Sequence, residues 1–432
     1  MNKKTISCSV FTLGCKLNFS ESSSIEHILR KQGYKIVDNS KLFDVLIINT
    51  CSVTNNADKE CEYIIRKEIK KNPKVYIVIT GCYAQLKPNE ITKIDNVNLV
   101  IGNSDKFYIG DILEKNIFSD KKIIHNDINI QQFHSANSLY SPNKTRVFLK
   151  IQDGCNYKCS FCTIPMARGK SRSNTINNVI NDITNCINKG AKEIVLTGVN
   201  IGDFGNKQEN LLILLQNIEN INSNFRIRIS SIEPNLLSYS IIEFIKHSKK
   251  IVNHLHIPLQ SGSTTILKSM RRRYKLELYK NKILFINQEI PKCCIGADII
   301  VGYPGETEEC FNESIQFIKN LPISYLHVFT YSDRDNTNSN LLNNKISPFI
   351  KKQRNAIMNN LSLQKLRNFY IQNIDEKLDV LFEKINKDGN IYGFTNNYIR
   401  VKTKFNDKLI NKVKKVILKN IDNDNVCNIK MC

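Results

Sequence analysis

Three cysteines close together in the middle of the chain could bind a metal cluster. Cys155, Cys159 and Cys162 fall within residues 154–162, directly after an apolar segment that predicts a strand, and no histidine accompanies them in this loop. Three thiolates leave a tetrahedral structural zinc site one ligand short. They can instead hold three irons of a 4Fe-4S cluster and leave the fourth iron open to a small chelating cofactor. The spacing therefore predicts an iron–sulfur site.

Three other cysteines lie far apart in sequence, but each comes just after a predicted strand. These are Cys15, Cys51 and Cys82. Because the carboxyl ends of parallel strands share one edge of an open sheet, the three thiols are expected to meet there and to hold a second cluster with an open iron. Gly14 and Gly81 precede two of them, which suits a close approach of the backbone to a bulky group. The other cysteines, interpreted as packing or surface thiols, are Cys8, Cys61, Cys186, Cys293, Cys294, Cys310, Cys427 and Cys432.

Alternating strands and helices must position both groups of cysteines. Near the amino terminus the pattern predicts strands over 5–13, 44–49 and 74–80, and helices over 20–32, with Ser20 as N-cap, and over 56–71. Further along it predicts strands over 147–152, 193–199, 225–230, 254–259, 294–301 and 325–331, with helices over 174–188, 209–221, 308–321 and 348–374. Such alternation favours parallel sheets covered by helices, and the six later units favour a complete or partial barrel with its working face at the carboxyl ends of the strands.

The fold class predicted is α/β, with three modules joined by one linker. The carboxyl-terminal pattern changes to period two over 377–385, 390–404 and 412–421, which indicates a small antiparallel β-barrel. The proposed division is an open parallel sheet domain at 1–118, a polar linker at 119–142, a (β/α)6 partial barrel at 143–371 and the β-barrel at 372–432.

The composition and the net charge indicate which partners and which cellular location are expected. The 432 residues carry 62 Lys and Arg against 40 Asp and Glu, a formal charge of +22. Such a surplus favours a polyanionic partner such as nucleic acid, although the codon bias of an AT-rich genome would also enrich lysine. The apolar runs are much shorter than the roughly 20 residues that span a bilayer, so no membrane partner is expected. The apolar part of residues 5–15 is short and broken by polar residues, so it is interpreted as a first strand and the protein as cytoplasmic. In that reducing compartment the 14 cysteines are not expected to form structural disulfides.

Four segments together resemble the methylthiotransferase family of radical S-adenosylmethionine enzymes. They are residues 12–18 (TLGCKLN), 49–54 (NTCSVT), 80–85 (TGCYAQ) and the Cys155 loop, and the resemblance extends over essentially the whole chain. It implies an amino-terminal cluster domain, a radical S-adenosylmethionine core and a TRAM-like RNA-binding module. It also implies two 4Fe-4S clusters and two S-adenosylmethionine molecules, one to methylate sulfur and one to yield the 5′-deoxyadenosyl radical that removes a hydrogen from the substrate.

Within the family, three segments resemble the branch that modifies threonylcarbamoyladenosine. They are residues 14–18 (GCKLN), 228–234 (RISSIEP) and 393–400 (GFTNNYIR). This branch implies methylthiolation of C2 of the nucleoside at position 37 in the tRNA anticodon stem-loop, with flavodoxin or ferredoxin as electron donor and a monomeric enzyme. The nearest alternative is the isopentenyladenosine branch. An alternative of another class is a non-catalytic RNA-binding protein with zinc.

Several other residues are expected to support the site. By resemblance, Gly198 lies in a turn that binds the methionine end of the cofactor, although a glycine is also the usual residue of any tight turn. The residues expected to contact the cofactor are Phe161, Gly198 and Glu233, and those expected to contact RNA phosphates are Arg168, Arg172, Arg272 and Arg400. Asn336 departs from the family, which usually has glycine there, but asparagine tolerates a left-handed backbone.

Overall fold

The amino-terminal sheet places its strands in the order β2-β1-β3-β4-β5-β6, and all of them run parallel. The computed structural model describes residues 5–51, 55–117, 122–130, 132–140, 145–206 and 208–432. The strands are β1 Ser7–Thr12, β2 Lys35–Ile36, β3 Val45–Thr50, β4 Tyr76–Gly81, β5 Val97–Ile101 and β6 Lys122–Ile124. The helices are α1 Lys16–Lys31, α2 Asn55–Lys71, α3 Cys82–Leu86, α4 Pro88–Ile91 and α5 Ile109–Asn116. Every residue of β3 and β4 is buried, as expected for central strands covered on both faces.

Helix α1 begins four residues before its predicted start, so the prediction of Ser20 as its N-cap is wrong. Gly14 turns the chain with a φ of +97°, and Cys15 is the N-cap with an extended backbone. The hydroxyl of Ser20 instead donates to the carbonyl of Leu17 at 2.8 Å inside the helix. Serine bonds the preceding turn in this way as readily as it caps, so its residue type alone could not locate the start.

The central module contains six successive parallel strands, as predicted for a partial barrel. Its strands are β7 Ala136–Asn137, β8 Arg146–Lys150, β9 Gln152–Asp153, β10 Arg172–Ser173, β11 Glu193–Thr197, β12 Arg226–Ile229, β13 His254–His256, β14 Cys294–Val301 and β15 Tyr325–Thr330. Its helices are α6 Ile164–Arg168, α7 Ile176–Asn188, α8 Leu211–Glu219, α9 Tyr239–His247, α10 Thr264–Ser269, α11 Leu276–Glu289, α12 Glu308–Lys319 and α13 Pro348–Ile371. Strands β8, β11 and β12 pair in parallel, as do β13, β14 and β15, and two parallel bridges join the groups at Ile227–Ile251 and Ser231–His256. Among the described residues no helix has the length and apolar character needed to cross a bilayer.

The segment predicted as a linker contributes to both of its neighbours. Strand β6 extends the amino-terminal sheet, and β7 pairs antiparallel with β8 of the central module. Residues 119–121, 131 and 141–142 of this segment lie outside the described part of the chain. The domain limits themselves stay predictions.

The carboxyl-terminal module is a closed five-stranded barrel, as predicted, but it contains two strands more than the three predicted. Its strands are β16 Lys377–Lys387, β17 Asn390–Thr395, β18 Arg400–Lys404, β19 Val413–Ile421 and β20 Cys427–Met431, in the order β16-β17-β18-β20-β19. The predicted strand 390–404 is a hairpin, because the hydroxyl of Thr395 accepts from the amide of Ile399 at 2.8 Å and Tyr398 adopts a φ of +68°. Closure leaves the small barrel without free strand edges.

Candidate iron–sulfur and cofactor site

The three amino-terminal cysteines follow three adjacent strands. Cys15 follows β1, Cys51 follows β3 and Cys82 begins α3 directly after β4. Since β3 pairs with both β1 and β4 in parallel, these residues lie at one edge of the sheet, as the sequence predicted. Cys51 and Cys82 are buried, and Cys15 is accessible to water.

Gly14 lies directly against Cys51. A Cβ atom at this glycine would stand 2.5 Å from the Cβ and 2.8 Å from the Sγ of Cys51. Such contacts are too short for any side chain, and the φ of +97° also favours glycine. The absence of a side chain therefore lets the loops that carry Cys15 and Cys51 come together.

Asn18 joins the same two loops through its side chain. Its Nδ2 donates to the carbonyl of Leu13 at 2.8 Å and to the carbonyl of Thr50 at 3.0 Å. Its Oδ1 accepts from Nη2 of Arg168 in the central module at 2.6 Å. Asn18 belongs to a motif that is visible in the sequence, but this role is not visible there, because both partner carbonyls belong to backbone that only the sheet brings within reach.

The central cysteines lie in one loop after β9 and are partly exposed. The Sγ of Cys155 accepts from the amide of Tyr157 at 3.4 Å, and that of Cys159 accepts from Nη1 of Arg272 at 3.2 Å. Burial raises the pKa of Cys155 to about 11 and that of Cys162 to about 12. Both thiols hold their protons at neutral pH without metal, so iron binding would release protons.

The chemistry of the donors fits iron–sulfur clusters, because thiolates are the ligands that such clusters take in proteins. Among the described residues, no three His, Cys, Asp or Glu side chains converge on a point where a single ion could bind. Each predicted group supplies three thiols and leaves one iron for another ligand. The six cysteines as cluster ligands stay a prediction.

The amino-terminal and central modules pack together next to one cysteine of each group. Helix α3, which begins at Cys82, contacts α6, which begins two residues after Cys162. The Nδ2 of Asn103 lies 3.5 Å from the Sγ of Cys82 and donates to the carbonyl of Ala167 in α6 at 2.7 Å. The role of Asn103 could not be predicted from the sequence, because the residue lies in a loop after β5 that has no recognisable motif.

Arg168 is part of a buried ionic network at this interface. It donates to both carboxylate oxygens of Glu21 at 3.0 Å and to Asp153 at 3.0 Å, and only 2% of the residue is exposed. Lys106 and Lys150 also pair with Glu21, at 2.5 and 3.0 Å. The prediction that Arg168 contacts RNA phosphates is therefore wrong, because its guanidinium is enclosed and already paired.

Arg272 is also enclosed, so the prediction that it contacts RNA is wrong as well. It pairs with Glu233 and donates to Cys159, and 4% of its side chain is exposed. Arg172 donates to the carbonyl of Arg168 at 2.6 Å and to Asp153 at 3.2 Å, which holds it in the same network. A role for Glu233 toward the cofactor, or for Arg172 toward RNA, stays a prediction.

Arg400 lies on the carboxyl-terminal barrel among aromatic rings. It pairs with Glu383, and its guanidinium lies 5.0 Å from the ring centre of Tyr392 and 4.7 Å from that of Phe394. More than a quarter of its side chain, 28%, is exposed. A basic group beside aromatic rings is suited to single-stranded RNA, and the contact itself stays a prediction.

Phe161 lines a cavity of about 240 Å³ next to Cys162. Asp298, Ile300 and Tyr331 also line the cavity, so it opens into the barrel. Its lining, mostly apolar with a few polar groups, is typical of a site for a small cofactor. The predicted contact of Phe161 with the adenine stays a prediction.

Gln152 ties the turn at Gly198 to the cysteine loop. Its Oε1 accepts from the amide of Asn200 at 2.8 Å, and its Nε2 donates to the carbonyl of Gly154 at 2.8 Å. A Cβ atom at Gly198 would lie 2.9 Å from this Oε1, so the glycine allows the turn to approach the glutamine. The turn was predictable from the sequence, whereas the role of Gln152 in holding it was not.

The loop with Asn336 contacts the amino-terminal module. Asn336 has a φ of +61°, which is the left-handed conformation that its residue type was expected to tolerate. In the same loop Arg334 pairs with Asp58 and Asp335 with Lys87, both at 2.6 Å.

Comparisons with known proteins agree with this arrangement. Family models match the Radical SAM superfamily over residues 149–318 and Uncharacterized protein family UPF0004 over residues 7–102. Threonylcarbamoyladenosine tRNA methylthiotransferase MtaB of Bacillus subtilis (strain 168) is 38% identical over 94% of this chain and 92% of its own. The protein of the same name from Aquifex aeolicus (strain VF5) is 37% identical over 90% and 95%. A tRNA-2-methylthio-N(6)-dimethylallyladenosine synthase of Thermodesulfovibrio yellowstonii is 32% identical over 79% and 80%.

Two solved structures share the fold at low sequence identity. The radical S-adenosylmethionine methyltransferase TsrM from Kitasatospora setae superposes with a TM-score of 0.58 at 11% identity, over 78% of this chain and 77% of that one. The cobalamin-dependent S-adenosylmethionine radical enzyme OxsB superposes with a TM-score of 0.55 at 11% identity, over 84% and 56%. At this identity the likeness shows the fold alone.

Proposed function

Because the chain belongs to the methylthiotransferase family of radical S-adenosylmethionine enzymes, we propose that it methylthiolates tRNA at C2 of N6-threonylcarbamoyladenosine. The two relatives described above that carry this activity in their names are more similar to the chain than the dimethylallyladenosine synthase is. Their similarity covers at least nine tenths of the chain, so it includes all three modules.

The contact between α3 and α6 is the observation that carries the proposal. It joins the helix that begins at Cys82 to the helix that follows Cys162. Methylthio transfer requires sulfur delivery and hydrogen removal at one carbon atom, so two reactive centres must be adjacent. An interface that holds both cysteine groups supports such a reaction, whereas a protein that only bound RNA would not require it.

Membership of the radical S-adenosylmethionine family implies one 4Fe-4S cluster and S-adenosylmethionine, and Cys155, Cys159 and Cys162 would hold that cluster. When bound, this pair supplies the radical that takes a hydrogen atom from an unactivated carbon. The protein positions the cofactor: Gln152 holds the turn at Gly198 beside the cysteine loop, and Arg272 neutralises Glu233 and donates to Cys159.

A second 4Fe-4S cluster at Cys15, Cys51 and Cys82 is the further part of the proposal. Gly14 makes room between two of these residues, and Asn18 fixes their loops. The tRNA anticodon stem-loop is the proposed substrate, with flavodoxin or ferredoxin as electron donor and a monomer as the working state. A tRNA substrate would also place the activity in the cytoplasm.

Nucleoside analysis of tRNA from a deletion strain tests the function. We expect the methylthio form of threonylcarbamoyladenosine to disappear and threonylcarbamoyladenosine without the methylthio group to accumulate. A plasmid copy with Cys82→Ser should fail to restore the methylthio form. A copy with Cys61→Ser, a change at a buried thiol of α2, should restore it. Loss of the methylthio form of isopentenyladenosine instead would assign the chain to the other branch, and an intact profile would refute the activity.

Metal analysis separates the proposal from a zinc-containing RNA-binding protein. Anaerobic reconstitution should give about eight irons per chain, four for each cluster. Zinc without iron or sulfide, and no 5′-deoxyadenosine on reduction with S-adenosylmethionine, would contradict the proposal.

A further inference from the structure

The interior of the partial barrel is lined by ionisable side chains. Residues such as Val147, Leu149, Ile227 and Ile229 pack against the helices, so the alternate residues of the same strands face the interior. The interior residues with charged, histidine or tyrosine side chains are Arg146, Lys150, Glu193, Arg226, Arg228, His254, His256, Asp298, Tyr325 and His327. His256 bonds Asp298 at 2.9 Å and His254 bonds Tyr325 at 2.9 Å, which accounts for four of them. Cations outnumber carboxylates in this interior.

Arg228 is a buried cation of this interior, and its hydrogen bonds are incomplete. Its Nε donates to Glu193 at 3.0 Å, but within the described part of the chain neither Nη1 nor Nη2 has a partner. The residue is 1% exposed, and its guanidinium stacks 4.5 Å from the ring centre of Tyr398 in the carboxyl-terminal barrel. A buried donor without a partner is costly, so two such atoms on one fork suggest a place for an acceptor with two oxygens.

Lys16 reaches the same interior from the amino-terminal module. It follows Cys15 directly, as the first residue of α1, and its side chain is accessible to water. Its ammonium interacts electrostatically with Tyr398, Arg146, Arg228 and Asp298, which belong to the other two modules. In the described residues no carboxylate forms an ion pair with it. Lys16 therefore brings a second available cation next to the proposed amino-terminal cluster ligand.

We propose that Lys16 and Arg228 bind the carboxylate of the threonyl group of the substrate nucleoside. This inference rests on the proposed function and deepens it. A guanidinium fork and an ammonium form charge-assisted hydrogen bonds with a carboxylate, and a water-excluding interior strengthens them. An isopentenyl group has no charge, so it would offer no acceptor to the two buried Nη atoms of Arg228 or to the ammonium of Lys16. The two residues thus select threonylcarbamoyladenosine against its apolar counterpart.

Binding of anticodon stem-loops to the protein tests this inference without use of the reaction. The probes carry threonylcarbamoyladenosine, its neutral methyl ester or unmodified adenosine, and fluorescence anisotropy gives each Kd. The native protein should bind the carboxylate form at least about tenfold more tightly than the ester, the factor expected for hydrogen bonds to a charged group. Lys16→Gln should abolish most of that preference. Lys31→Gln, at the exposed far end of the same helix, should preserve it.

Arg228 requires a separate comparison because it also pairs with Glu193. Arg228→Lys keeps a positive charge but lacks the guanidinium fork, so it should lower the preference for the carboxylate only in part. If this variant does not fold, Lys16→Gln alone tests the inference. Equal Kd values for acid and ester in the native protein, or an unchanged preference in Lys16→Gln, would overturn the inference. The proposed function is tested separately, by the loss of the methylthio nucleoside in the deletion strain. The inference about Lys16 and Arg228 can therefore fail while the proposed function holds.

Discussion

At the level of single residues, the glycine before Cys15 shows how closely the two amino-terminal loops approach. We predict that Gly14→Ala costs the backbone about 1–2 kcal/mol for its left-handed conformation, and also displaces Cys51, which a Cβ atom would contact at 2.5 Å. Gly33→Ala is the matched control, because Gly33 has a φ of +86° with nothing within 4 Å of a new Cβ. Both variants should lower the unfolding midpoint.

Iron content separates the two effects of this change. After anaerobic reconstitution, Gly14→Ala should hold about four irons per chain instead of about eight, since only the amino-terminal cluster depends on the Cys51 loop. Gly33→Ala should hold the native amount. Equal iron in the two variants would mean that the close approach of Gly14 to Cys51 has no part in cluster binding.

Residue type and spacing identified the cysteines but not the polar residues that hold their loops. Asn18, Asn103 and Gln152 act through backbone carbonyls or amides that only the fold brings near, so no local pattern marks them. The sequence predicts RNA contacts for Arg168 and Arg272 because both follow barrel elements where the substrate would approach. Their true partners, carboxylates and a thiol, lie far away in sequence.

At the level of elements, the strands of the barrel were predictable to within about three residues, because apolar residues recur in each at least at alternate positions, between polar turns. The predicted limits of β14 agree with the structure at both ends. The hairpin of β17 and β18 was not resolved from the sequence, because alternation continues across its turn and Tyr398 is an unusual residue for a positive φ. Strand β20 is short, and its partly polar sequence gave no clear signal.

Gln152 of β9 links the cysteine loop to the turn after β11, and this link predicts a second effect. Gln152→Leu would keep the size of the side chain but leave the Gly154 carbonyl and the Asn200 amide without their 2.8 Å partners. Both loops should then move, and the affinity for S-adenosylmethionine, measured by equilibrium dialysis, should fall at least about tenfold. Gln216→Leu, an exposed change on α8, should leave it unaltered. Native affinity in Gln152→Leu would show that the link does not position the cofactor.

At the level of the whole molecule, the network around Glu21 holds the amino-terminal module on the barrel. Burial by itself would raise the pKa of Glu21, but Arg168, Lys106 and Lys150 outweigh it and hold that pKa well below its usual value. A lowered carboxylate pKa stabilises the folded state at every pH above the value in the unfolded chain, about 4.3. This contribution is lost only as the pH falls from there toward the lower folded value, so the interface should persist in mild acid.

Removal of the charge of Glu21 should separate the two modules. In Glu21→Gln the cations of Lys106, Lys150 and Arg168 stay buried with one carboxylate fewer, and loss of one partner from such a cluster costs about 3–5 kcal/mol. We expect a lower unfolding midpoint and faster proteolysis within residues 119–142, between the modules. The control is Glu26→Gln on the same helix, whose partner Arg30 lies near the surface, with an expected cost of about 0.3–0.5 kcal/mol. If both variants unfold and digest alike, the network does not hold the modules together, and the approach of the two cysteine groups must depend on the contact between α3 and α6.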